Sequence, residues 1–168
     1  MNSQTGIDRI MAFVGRMKGL DAELVRDALT GRQLHRRLEH QLEEYLHEAG
    51  LSASRFEVLE ALYHHPEQAM TPAELAEEVM LTRAAMTGCL DGLEQAGYVK
   101  RTPNPRDRRS ISVELTARGR RLMDDTLEQR YRDMAAILEC LKPAERKRMI
   151  SYYHRLVEAI EAVIRQRA

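Results

Sequence analysis

One segment in the middle of the chain carries helix boundary signals so closely spaced that it can hold only two short helices. Thr71, Pro72 and Glu74 supply a hydroxyl at the N-cap, a proline at the first helical position and a carboxylate at the third. Thr82 can cap a second helix a few residues later, and Gly97 can end it. Two short helices joined by a tight turn, the second of them amphipathic, are typical of a helix-turn-helix unit.

After these helices the sequence changes to the two-residue period of β-strands. Residues 98–101 and 110–115 are predicted strands, and the second alternates polar and apolar side chains. Pro103 and Pro105 cannot donate to a strand ladder, so residues 102–109 are predicted to form an exposed hairpin tip. The tip and its base are rich in basic side chains, with a single acid among them: Lys100, Arg101, Arg106, Asp107, Arg108 and Arg109.

Helical patterning continues on both sides of this unit. Apolar residues recur every three or four positions on a long helix predicted from Asp21 to Glu48, and Gly50 is its expected C-cap. Ser52 is the expected N-cap of the next helix. Two more helices are predicted after the hairpin, from Thr116 to about Leu141 and from Pro143 onward. A further helix is predicted before Asp21, where apolar residues have helical spacing.

The last helix carries an apolar stripe that a small winged domain cannot cover by itself. Its clearest members are Val157, Ile160, Val163 and Ile164. Exposed apolar patches of this kind usually mark an interface, although packing of the first and last helices within one monomer is an alternative. We therefore predict a mainly α-helical winged helix-turn-helix protein that dimerises through its N- and C-terminal helices. The predicted divisions are dimerisation helices at 1–50 and 117–168, with the winged helix-turn-helix domain at 51–116.

Composition narrows the possible classes of function. Lys plus Arg and Asp plus Glu both number 26, so the formal net charge is zero, although the basic residues cluster in the hairpin. Two cysteines without CxxC spacing favour neither a disulfide framework nor a zinc site. No signal peptide and no apolar run near the roughly 20 residues that span a bilayer are evident, so we expect a cytoplasmic protein with no membrane partner. We also expect no cofactor, no metal and no enzymatic activity, since no catalytic motif is present.

The order helix, turn, helix, basic hairpin predicts binding of double-stranded DNA. An α-helix fits the major groove, where Arg83, Ala84 and Thr87 at the start of the second helix would face the bases. The helix beginning at Thr71 offers unpaired backbone N–H groups to a phosphate. Hairpin arginines can neutralise phosphates or enter the minor groove. The predicted DNA-binding residues are Thr71, Thr82, Arg83, Ala84, Thr87, Arg101, Arg106, Asp107, Arg108 and Arg109.

Residues 50–119 resemble the multiple-antibiotic-resistance regulator (MarR) family of bacterial transcription factors. The resemblance is carried by LTRAAMTGCLDGLEQAGYVKRTPNPRDRRSISVELTARG, and the string from Asn104 to Arg109 is similar to the family's wing. The resemblance implies that Arg109 inserts into the minor groove and that Asp107 holds the wing by an ion pair. It implies that Arg106 and Arg108 meet the DNA backbone.

The resemblance also implies a mechanism. Members of this family are homodimers that bind pseudo-palindromic operators, often repress transcription, and release DNA when a small molecule, typically an aromatic carboxylate, binds. Helix register places His35, Phe56 and Tyr63 as candidate effector residues. The alternative is a winged-helix protein-interaction module that binds no DNA. The neutral net charge and Gly88 slightly favour this alternative.

Gly88 departs from the pattern of the family, many of whose members have Arg, Lys or Asn at this position. A glycine inside a helix costs roughly 1 kcal/mol relative to alanine and supplies no base contact. Either the helix backbone approaches the groove closely, or this is drift at a tolerant site.

Overall fold

A computed structural model of the protein describes residues 3–48, 50–65, 69–104 and 110–167. Contacts divide the chain into two compact units, Met1–Thr116 and Ala117–Ala168. None of the helices in the described ranges is long and apolar enough to cross a membrane. The elements in chain order are α1 (Ser3–Val14), α2 (Ala22–Glu48), α3 (Ala53–His64), α4 (Pro72–Glu78), α5 (Arg83–Gln95), β1 (Val99–Pro103), β2 (Ile111–Leu115), α6 (Ala117–Leu138) and α7 (Pro143–Arg167).

The core of the first unit lies between α3, α4, α5 and the hairpin. Each helix turns one apolar face inward, and the most deeply buried side chains come from all of these elements. The helix-turn-helix and its hairpin therefore share one core, which confirms the predicted winged helix-turn-helix. Large apolar core residues of this unit that are at most 2% exposed are Phe56, Val58, Leu59, Leu75, Met86, Leu90, Leu93, Val99 and Val113.

The helix starts predicted from the sequence are confirmed. The Thr71 hydroxyl accepts a hydrogen bond from the backbone N–H of Glu74 (3.2 Å), and the Glu74 carboxylate accepts one from the backbone N–H of Thr71 (2.7 Å). The Thr82 hydroxyl accepts from the N–H of Ala85 (3.2 Å), and Ser52 caps α3 in the same way. These caps satisfy backbone donors that the first helical turn leaves unpaired.

Residues in the left-handed conformation follow helices α2, α4 and α5. Gly97 has φ 73°, and the N–H of Tyr98 reaches back to the carbonyl of Leu93 (3.0 Å), which turns the chain from α5 into β1. Gly50, with φ 78°, lies just after α2, as predicted. Met80, in the turn between α4 and α5, adopts the same conformation with φ 52° although it carries a side chain that is 92% exposed.

The hairpin is longer than the sequence indicated. Pro103 pairs with Ile111, and the N–H of Asn104 donates to the carbonyl of Ser110 (3.0 Å). The prediction that the strand ends before Pro103 was therefore wrong. The reason is that a proline is tolerated on an edge strand, and β1 is paired on one side only within the described sheet.

A short β-bridge missed by the sequence analysis joins the hairpin to the first helix of the pair. The N–H of Val113 on β2 donates to the carbonyl of Met70 (2.7 Å), which immediately precedes the cap of α4. The hairpin is thus tied to the start of α4 by a backbone hydrogen bond as well as by side-chain packing.

The second unit consists of α6 and α7. The first of these helices ends about one turn earlier than predicted, at Leu138, and the guanidinium of Arg146 donates to the carbonyls of Leu138 (3.3 Å) and Leu141 (2.6 Å). None of the residues of α7 is buried. Its large apolar side chains that are exposed are Ile150, Tyr152, Tyr153, Leu156, Val157, Ile160, Val163 and Ile164.

We predict that Gly97→Ala lowers the free energy of unfolding by about 1–2 kcal/mol, because a Cβ is disfavoured in the left-handed conformation. The measurement is urea unfolding at a fixed protein concentration. The matched control is Gly31→Ala within α2, where an added Cβ meets no atom within 4 Å. This control should gain about 1 kcal/mol from better helix propensity. Equal effects of the two substitutions would contradict the assignment of Gly97 as an obligatory turn residue.

Candidate nucleic-acid interface

The outward face of α5 begins at its N-cap and remains open over two turns. Arg83, Ala84, Ala85, Thr87 and Gly88 are all exposed, whereas Met86 between them points into the core. The predicted base-facing positions Arg83, Ala84 and Thr87 therefore lie on one solvent-accessible surface. Their contacts with DNA stay predictions.

The start of α4 is less available to a phosphate than the sequence suggested. The Thr71 N–H donates to the Glu74 carboxylate, and the Thr71 hydroxyl donates to the same oxygen (2.9 Å). Both donors of Thr71 are thus engaged, and a negative charge already lies at this helix end. The predicted phosphate contact of Thr71 would require these hydrogen bonds to open, or would use the neighbouring N–H of Ala73.

Arg101 is held by the end of α5. Its guanidinium donates to the carboxylates of Asp91 (2.7 Å) and Glu94 (3.0 Å), and its backbone N–H donates to Glu94 (3.2 Å). The Arg101 side chain is only 26% exposed, so this contact is better protected from solvent than an ordinary surface ion pair. Arg101 thereby fixes the hairpin relative to α5, a role that the sequence analysis did not foresee.

The other basic residue at the base of the hairpin is also paired. Lys100 lies 2.9 Å from the Glu114 carboxylate across the two strands, and Thr102 donates to the same residue (3.2 Å). The hydrogen bond from Lys100, opposed by a smaller desolvation effect, lowers the pKa of Glu114. Glu114 therefore stays ionised at neutral pH and keeps the cross-strand pair intact.

The remaining predicted wing residues fall outside the described part of the chain. Arg106, Asp107, Arg108 and Arg109 all lie in the segment 105–109. The two residues that flank this segment are joined by a hydrogen bond from the N–H of Asn104 to the carbonyl of Ser110 (3.0 Å). The roles assigned to these residues stay predictions.

Cys89 is packed on the inner side of α5. It is 8% exposed, and burial raises the pKa of its thiol; the charge of Arg55 lowers this pKa to a smaller extent, and the charge of Glu57 raises it further. A thiol that stays protonated is a poor nucleophile. This environment favours a structural role for Cys89 over redox sensing.

The three candidate effector residues do not form a ready site. Phe56 is 2% exposed in the core, whereas His35 on α2 is exposed and pairs with Glu39 (3.2 Å). Tyr63 is half-buried with its ring edge-to-face against His64 at 5.6 Å. An effector could reach Phe56 only if the core opened, so the assignment of these residues stays a prediction.

Comparison with known proteins relates this chain to one family. The family described as "MarR family" matches residues 51–111. The HTH-type transcriptional repressor YetL of Bacillus subtilis is 30% identical over 127 residues, which are 76% of this chain and 76% of YetL. The HTH-type transcriptional regulator PrsX of Escherichia coli is 33% identical over 85 residues, which are 51% of each chain.

Solved structures share the fold. AbsC, a MarR family transcriptional regulator from Streptomyces coelicolor, has a TM-score of 0.75 at 22% identity and covers 87% of this chain and 99% of its own. MepR of Staphylococcus aureus, solved as a DNA complex, has a TM-score of 0.69 at 17% identity and covers 78% of this chain and 95% of its own.

We predict that Arg101→Ala lowers the free energy of unfolding by about 1 kcal/mol, because it leaves Asp91 and Glu94 without their shared cation. Thermal or urea unfolding measures the change. The control Arg83→Ala removes an exposed arginine at the start of α5. Its free energy of unfolding should stay within about 0.5 kcal/mol of that of the parent protein. If Arg101→Ala unfolds like Arg83→Ala, Arg101 does not hold the hairpin.

Proposed function

The chain belongs to the MarR family of helix-turn-helix transcriptional regulators, and we propose that it is a homodimeric repressor that binds a pseudo-palindromic DNA operator. The observation that carries the proposal is the outward face of α5, which is exposed from Arg83 to Gly88 while its opposite face is closed by the core. A rigidly held helix with an open face is the shape that enters a major groove. The repressor YetL and the DNA complex of MepR add support from relatives.

The contacts with DNA would be shared between helix α5 and the hairpin. The start of α5, with Arg83, Ala84 and Thr87, would read base edges in the major groove. The hairpin arginines Arg106, Arg108 and Arg109 would contact the phosphate backbone and the neighbouring minor groove. Asp107 would orient the hairpin tip by an ion pair.

Dimerisation would cover the apolar surface of α7. Exposed apolar side chains lie along much of this helix, and Leu156, Val157, Ile160, Val163 and Ile164 are each at least 46% exposed. Removing such side chains from water contributes about 25 cal/mol per Å². A two-fold axis through this interface would present two copies of α5 about 34 Å apart, one turn of DNA.

A small-molecule effector would regulate the dimer. We propose an aromatic carboxylate that favours a dimer whose two copies of α5 no longer match the operator. Such a ligand releases DNA only if it binds the two dimer states with different affinities. Support for this step comes from the family resemblance, with His35, Phe56 and Tyr63 as the residues to test first.

We predict that Arg109→Ala and Arg83→Ala each weaken operator binding by roughly 5- to 150-fold, since each loses a charged contact to DNA. Fluorescence anisotropy with a duplex enriched from a random library measures affinity at several salt concentrations. The control is Arg132→Ala on α6, whose exposed side chain pairs with Glu128 on its own helix. Binding that ignores salt, or that survives both substitutions unchanged, would remove the support for DNA recognition and favour a protein-interaction module.

We predict that Ile160→Glu converts the dimer to a monomer at low micromolar concentration, because it buries an unpaired charge in the interface. Sedimentation or light scattering gives the mass. The control Gln166→Glu adds the same charge at an exposed polar position of α7. A monomeric parent protein, or a dimer that tolerates Ile160→Glu, would contradict the proposed interface.

A further inference from the structure

The exposed face of α5 carries few long side chains. Of the exposed residues on its first two turns, Arg83 has a long polar side chain, Ala84, Ala85 and Thr87 have short side chains, and Gly88 has none. Ala84, Thr87 and Gly88 are three and four positions apart, so they lie side by side on one face. The surface expected to meet the bases therefore carries short and mostly apolar side chains.

Thr87 adds no hydrogen-bond donor to this face. Its hydroxyl donates to the carbonyl of Arg83 within the helix (3.0 Å). The outward part of Thr87 is left with a methyl group and oxygen lone pairs. Together with the Cβ of Ala84, it forms an apolar surface that suits other methyl groups.

The protein itself gives no reason for glycine at position 88. An ideal Cβ at Gly88 would meet no atom within 4 Å, and the residue has an ordinary helical conformation. Gly92 on the same helix is different, because an added Cβ there would lie 2.8 Å from Cζ of Arg55. A Cβ at Gly92 would thus require the Arg55 side chain to shift, whereas the space above Gly88 is open for something outside the chain.

We propose that α5 recognises thymine by its 5-methyl group, with Ala84 and Thr87 as the contacting residues and Gly88 as the position that lets the helix approach. This inference rests on the DNA binding proposed above. In the major groove thymine is distinguished by its methyl group, which pairs with apolar side chains such as alanine and the threonine methyl. Each half-site then has A·T pairs opposite these residues, and Arg83 reads or anchors the adjoining position.

The first test removes the methyl groups and keeps every hydrogen-bonding group of the base pairs. Duplexes enriched from a random library are made again with deoxyuridine in place of thymidine, first throughout and then at single positions. We expect affinity to fall roughly fourfold for each methyl that α5 buries. The same replacement in the flanking base pairs serves as the control and should change affinity little.

The second test fills the open space. Gly88→Ala should raise the unfolding midpoint, because alanine is the better helix former. It should nevertheless weaken binding to the enriched duplex by roughly tenfold, since a methyl between helix and base edges separates the two surfaces. Gly31→Ala is the matched control, which should raise the midpoint and leave DNA affinity unchanged.

The outcomes separate this inference from the proposed function. Salt-dependent binding of the enriched duplex that is equal with thymidine and deoxyuridine, or that survives Gly88→Ala, overturns methyl recognition while DNA binding stands. Failure of the parent protein to enrich any duplex overturns both. Loss of affinity in both tests, with the flanking and Gly31→Ala controls unchanged, supports the inference.

Discussion

The inner face of α5 is closed against the core by Met86, Leu90 and Leu93, each at most 1% exposed. A helix of 13 residues is marginal in water by itself, so this packing is what holds α5 in shape. Burial of each such side chain contributes about 1.5–3 kcal/mol. The outer face can then consist of short or charged residues that contribute little to stability, because the inner face already determines the position of the helix. Rigid placement also spares the entropy of ordering this surface when it meets a ligand.

Local signals explain why so much of the fold was predictable. The caps at Thr71 and Thr82 and the turn at Gly97 act within a few residues of sequence, and the structure has all three. The hairpin bridge from Met70 to Val113 joins positions far apart in sequence, and no spacing rule points to it. The extent of β1 through Pro103 depends on which edge of the strand is free. That is a property of the assembled sheet and not of the segment.

The candidate interface was predictable to the same degree. The helical period was sufficient to place Arg83, Ala84 and Thr87 on the outer face of α5. It could not assign Arg101, because its pairing with Asp91 and Glu94 depends on the direction in which the chain leaves α5. The assignment of Phe56 to an effector site stays a prediction, because a register that places an aromatic ring on the inner side of a helix does not distinguish core from cavity.

Because Arg101 and Lys100 are each paired with carboxylates, the number of basic residues in the hairpin overstates the charge that is available to DNA. Both cations are already compensated by carboxylates of the same chain, with Arg101 against Asp91 and Glu94 and Lys100 against Glu114. A cation that is already paired with a carboxylate of its own chain neutralises a DNA phosphate only if that pair opens, and the ions that DNA releases on binding count the phosphates that the protein neutralises. The salt dependence of DNA binding would then count basic residues other than Arg101 and Lys100, a difference that the balanced total of 26 basic and 26 acidic residues does not reveal.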